Sequence, residues 1–119
     1  MSSDTSSLIT ETVKALQAEV PALEGLKLIF GLDLQAHGDV QSFRVELPGP
    51  DVAKRYADDG RVNVQMRREA FNELAEDPTL TKAQALLEKG LIKPSGDPNI
   101  IKLIGQVADK QLSRARKAG

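Results

Sequence analysis

The chain has 119 residues, 40% hydrophobic and 28% charged, with a formal net charge of -1. These values fit one globular domain and exclude the strongly basic field of a general nucleic-acid binder. Cysteine is absent, which excludes disulfides, thiolate nucleophiles and cysteine-built metal sites.

Residues 1–7 are rich in Ser, Thr and Asp, and this composition predicts a disordered N-terminus ahead of a single domain over 8–119. No basic-then-apolar secretion signal opens the sequence, and no apolar run approaches the ~20 residues of a membrane span. A cytoplasmic protein is the expectation. Leu8, Ile9, Thr12, Val13 and Leu16 follow helical spacing until Pro21 stops the helix.

From Leu26 the period becomes two. Leu26, Leu28, Phe30, Leu32 and Leu34 share one face, and Lys27, Ile29, Gly31, Asp33 and Gln35 the other. "AHGD" supplies a turn, and Phe43, Val45 and Leu47 alternate with polar residues, so the two strands form a hairpin. Residues 52–57 give a weak third strand. Val62, Val64 and Met66 give a further one-sided strand, and an antiparallel meander is expected.

The second half reads as helical. Ala70, Phe71, Leu74 and Ala75 share a face on a helix from about Arg68. Thr81 is the expected cap of a second helix that turns Ala83, Leu86 and Leu87 inward. "GLIKPS" predicts a last strand, with Pro94 confining it to a sheet edge. Asp97 then caps a final helix and Pro98 takes its first position. On that helix Ile100, Ile101, Leu103, Ile104, Val107, Ala108 and Leu112 cover roughly 180°, where a stripe of ~100° suffices to lie on a sheet. The surplus meets neighbouring helices, a partner or a ligand. The whole reads as α+β, with helices covering one face of a mainly antiparallel sheet.

Side chains for covalent chemistry are scarce. The single histidine, His37, falls in the hairpin turn, and without a His or Cys partner neither a nucleophilic triad nor an ordinary zinc site has its parts. Asp58 and Asp59 precede Gly60 as a turn, and Glu69, Glu73, Glu76 and Asp77 form a solvated helix face. Lys54, Arg55, Arg61, Arg67 and Arg68 read as surface cations or as a docking patch for lipid head groups or the phosphates of an acyl-CoA. Interleaved aromatics are missing, so single-stranded nucleic acid is not an expected partner.

From Val62 onward the order of parts resembles the sterol carrier protein type 2 domain family. The matching segments are "RVNVQMRREAFNEL", "TKAQALLEKGLIKPSGDPN" and "IIKLIGQV", with "LKLIFGLDLQ" and "QSFRVELPGP" as less specific upstream strands. The family's Gly-Lys pair is reversed here as Lys89-Gly90, and Pro94 stands at an ordinary strand position. The resemblance implies a curved five-stranded sheet under helices, enclosing an apolar cavity for a fatty acid, fatty acyl-CoA, sterol or similar lipid. It implies no cofactor and a non-enzymatic role. The expected lining is Phe30, Leu32, Leu34, Phe43, Val45, Val64, Met66, Phe71, Leu74, Leu86, Leu87, Ile92, Ile100, Ile101 and Ile104. Transient membrane contact is compatible with such a carrier, and the oligomeric state is left open. The alternatives are a protein-interaction or homodimerisation module that packs its last helix on a partner, or an accessory subunit presenting a hydrophobic substrate to an enzyme.

Overall fold

The computed structural model describes residues 2–21 and 25–118, with side chains over 5–21 and 25–114. The order of elements is α1 (Ser2–Glu19), β1 (Leu28–Ala36), β2 (Asp39–Leu47), β3 (Asp51–Ala53), β4 (Val62–Arg67), α2 (Arg68–Glu76), α3 (Leu80–Glu88), β5 (Ile92–Gly96) and α4 (Pro98–Ala118). Five strands form one sheet in the order β3-β2-β1-β4-β5.

The alternation in the sequence sorts side chains correctly between the two faces. Phe30 lies between Val45 and Val62, and Leu32 between Phe43 and Val64. On this face Leu28, Leu32, Leu34, Phe43, Val45, Leu47 and Met66 pack with Ile9 of α1 and with Ala70, Phe71 and Leu74 of α2. The opposite face is polar. There Asp33 accepts hydrogen bonds from Ser42 (2.8 Å) and Asn63 (3.0 Å).

Strand partnership departs from the expected meander. β4 pairs with β1, and in parallel, so the sheet is mixed; its other three pairings are antiparallel. Alternation fixes which face a residue takes but not which strand lies beside it. The β3–β4 connection crosses the polar face of β1. Ala57 is buried there, and the Arg61 N–H bonds the Ile29 carbonyl at 3.1 Å. Gly31 marks the crossing: a Cβ there would meet the Asn63 amide oxygen and sit 3.4 Å from the Ala57 methyl. Glycine inside a strand commonly marks such an approach.

The start of α1 is a second correction. Ser2 to Ser7, expected to be disordered, are the first residues of the helix, and Thr5 is buried. Arg68 donates to the Thr5 hydroxyl at 3.1 Å, a tertiary contact that composition does not report. The cap of α3 is Thr79 rather than Thr81: the Lys82 N–H reaches the Thr79 hydroxyl at 3.1 Å. Glu19, at the end of α1, accepts the Leu80 N–H at 2.9 Å and ties the two helices together. The predicted third strand shortens to Asp51–Ala53.

The hairpin turn and the last strand follow the sequence signals. His37 and Gly38 both have positive φ (50° and 78°), as a tight two-residue hairpin turn requires. β5 lies at the sheet edge with Pro94 opposite Val64. No described helix is long and apolar enough to cross a membrane.

Candidate functional site

α4 begins as its sequence dictates. Asp97 accepts the Asn99 N–H on its carboxylate at 2.9 Å, and its carbonyl takes the Ile101 N–H at 3.1 Å. Pro98 fills the first helical position, where no N–H is needed. Arg61 grips the other Asp97 oxygen at 3.0 Å, and the Asp97 N–H bonds the Arg61 carbonyl at 2.9 Å. The helix is thereby fixed at its N-terminus to the start of β4.

Beyond that anchor, α4 lies on the molecule without sinking into it. Ile100, Ile101, Ile104, Val107, Ala108 and Leu112 are only half-buried, and Leu103 is 51% exposed. Clefts flank and underlie the helix. One, of about 290 Å³, runs between α3, α4 and the β4–β5 edge; Val64, Leu87, Ile92, Ile101, Ile104, Gly105 and Leu112 are in its wall. A second, of about 200 Å³, lies toward α1 and is lined by Val13, Leu16, Leu26, Leu28, Phe30, Leu47, Val62, Val64 and Ile104. A third, of about 440 Å³, wraps the end of the sheet where β1 and β4 begin, between Lys27, Leu47, Arg61, Ile100, Leu103 and Ile104. Ile104 belongs to all three walls, and Val62 and Val64 to the first two. The clefts open to solvent; they are grooves beneath a loosely seated helix rather than the enclosed cavity expected from the sequence.

The fifteen expected lining residues therefore divide. Phe30, Val64, Leu87, Ile92, Ile100, Ile101 and Ile104 line the clefts. Leu32, Leu34, Phe43, Val45, Met66, Phe71, Leu74 and Leu86 are 0–6% exposed and fill the packed core under α1 and α2. Sequence reading missed the contribution of α1, through Val13 and Leu16, and of Leu80, Ala83, Gly105 and Ala108. The helical spacing of Leu8, Val13 and Leu16 and the small residues within α4 were the signals that pointed there.

The polar groups nearby serve structure. Arg44 on the opposite sheet face holds Asp59 at 2.8 Å and Glu46 at 3.0 Å. Its hydrogen bonds hold the Asp59 carboxyl below the usual carboxylate range. The five cations considered as a patch do not assemble: Arg61 and Arg67 stand at opposite ends of β4, roughly 20 Å apart at ~3.3 Å per residue. Among the described residues no cluster of three or more His, Cys, Asp or Glu could hold a metal ion.

No protein-family model and no curated protein matches the sequence. Solved structures do. Palmitated SCP2L2 from Aedes aegypti aligns with a TM-score of 0.58 at 21% identity, covering 82% of this chain and 92% of that one. The crystal structure of sterol carrier protein 2 like 2 from the same organism gives 0.58 at 19%, covering 87% and 95%. Sterol carrier protein domain 2 of Helicoverpa armigera gives 0.53 at 13%, covering 87% of each chain. With a five-stranded mixed sheet and four helices among the described residues, the chain has the SCP2-like fold.

Proposed function

We propose that the protein is a non-enzymatic lipid carrier that seats a fatty acyl chain between α4 and the sheet. The observation supporting it is the convergence of three clefts on Ile104, with walls made mostly of aliphatic side chains. A solved structure of the same fold is described as palmitated, which gives the reading a chemical precedent. A flexible chain can follow grooves that meet beneath a helix, whereas a rigid sterol nucleus needs one wide chamber.

The energetics suit exchange. Burying a methylene gains about 0.8 kcal/mol, so a sixteen-carbon chain gains roughly 12 kcal/mol before immobilisation costs. A bilayer offers nearly the same gain, so transfer between membrane and protein is close to balanced. The empty state is accessible because open grooves fill with water. A sealed void of ~300 Å³ would instead cost on the order of 7 kcal/mol.

Displacement of a fluorescent fatty acid by palmitate tests the reading, together with mass spectrometry of an organic extract of untreated protein. Saturable displacement at one site is expected. Failure of both probe and palmitate to bind, with no lipid in the extract, would refute it.

A further inference from the structure

We infer that the flank of α4 carrying Leu103, Lys110 and Arg114 is a docking surface for an anionic lipid bilayer. Its purpose rests on the carrier reading; its chemistry does not.

Charge is segregated in this chain. Between Pro98 and Ala118 there are five cations (Lys102, Lys110, Arg114, Arg116 and Lys117) and one carboxylate (Asp109), a net +4 in a protein whose formal charge is -1. Within α4, positions 103, 110 and 114 are spaced i, i+7 and i+11, so they stand within about 40° of one another. Leu103 is 51% exposed, and Lys110 and Arg114 are exposed. Leu103 stands in the wall of the cleft at the sheet end, where Lys27 is also exposed, and Lys110 and Arg114 follow on the same flank roughly 10 and 16 Å along the helix. The carboxylates near that cleft are already engaged: Glu46 and Asp59 by Arg44, and Asp97 by Arg61. Among the described residues Lys27, Lys110 and Arg114 join no ion pair.

An exposed leucine at the lip of a mostly apolar groove, in line with cations on the same helix flank, complements a surface that is negative outside and oily within. A second copy of the chain is a poor occupant, because a two-fold contact would set cations against cations. Docking here would bring the cleft lined by Ile100, Leu103 and Ile104 against the acyl region from which a carried lipid comes.

The test is flotation of the full chain with vesicles of phosphatidylcholine alone or with about a third phosphatidylserine. Capture by the anionic vesicles only is expected, with release at ~1 M salt, where the screening length is ~3 Å. Each cation near such a surface is worth about fivefold in partitioning, so Lys110→Gln/Arg114→Gln should bind roughly 25-fold more weakly. Arg67→Gln/Lys93→Gln removes the same charge from the polar sheet face and should change partitioning far less. Circular dichroism checks that both variants fold. Equal capture by neutral vesicles, equal loss in the two variants, or binding to polyglutamate but to no vesicle overturns the proposal. So does a concentration-dependent dimer that buries Lys110. Fatty-acid displacement measured without vesicles separates the claims. Displacement without vesicle capture defeats the docking surface alone; capture without displacement supports the surface and defeats the carrier.

Discussion

Asp97 has two partners, one on each carboxylate oxygen: the Asn99 N–H and the Arg61 guanidinium. Losing a carboxylate cap costs about 1 kcal/mol. The Arg61 side chain is 68% exposed, so the ion pair adds little in water. Asp97→Ala should therefore lower Tm by about 4 °C, as a thermal melt would show. This cap was legible from Asp97-Pro98 alone, because an N-cap is a local hydrogen bond. The Arg44–Asp59 pair was not, since the partners come from β2 and from the loop that crosses the sheet. Its hydrogen bonds lower the Asp59 pKa from its ordinary 3.8. A depressed carboxyl contributes stability above the unfolded pKa and loses it as pH falls through the folded one. Urea melts should thus show a constant gap between wild type and Asp59→Asn above about pH 5, closing below 3.8. A gap that widens toward acid would contradict the assignment.

Among the helices, α4 is the least embedded: none of its described side chains is fully buried. Gly105 sits in its middle, and a Cβ there would meet nothing within 4 Å. Gly105→Ala should stabilise the protein by about 0.5–1 kcal/mol through helix propensity alone, measurable in urea melts. Gly105→Leu should keep the fold yet push a side chain into the cleft against α3, weakening palmitate binding at least tenfold in the displacement assay. A destabilised Gly105→Ala would mean that α4 packs more tightly than its exposure indicates. The breadth of this helix's apolar face was visible in the sequence; its looseness was not. Periodicity reports which residues are apolar, and the depth at which a helix sits depends on what fills the space beneath it. The parallel pairing of β1 with β4 was hidden for a related reason. The cue was Gly31, whose missing side chain lets the crossing loop approach, and a lone glycine in a strand does not say what approaches it.

At the scale of the molecule, the two ends of the apolar face differ. Around Ile9 of α1 and Phe71 of α2 the side chains interlock: Phe43, Val45 and Leu86 are 0–1% exposed. Under α4 the same sheet face meets open grooves. The sequence spread its expected lining over both regions because alternation is equally regular in each. A tightly packed core beside a half-buried helix fits the proposed carrier, since a guest under α4 would not disturb the packing that holds the sheet together. Titration of isotope-labelled protein with palmitate, followed by backbone amide shifts, tests this most directly. Saturable shifts should concentrate at Val62, Val64, Ile101, Ile104 and Gly105, with Phe43 and Leu86 nearly unmoved. Shifts confined to the polar sheet face, or no saturable shift at all, would contradict a lipid seat beneath α4.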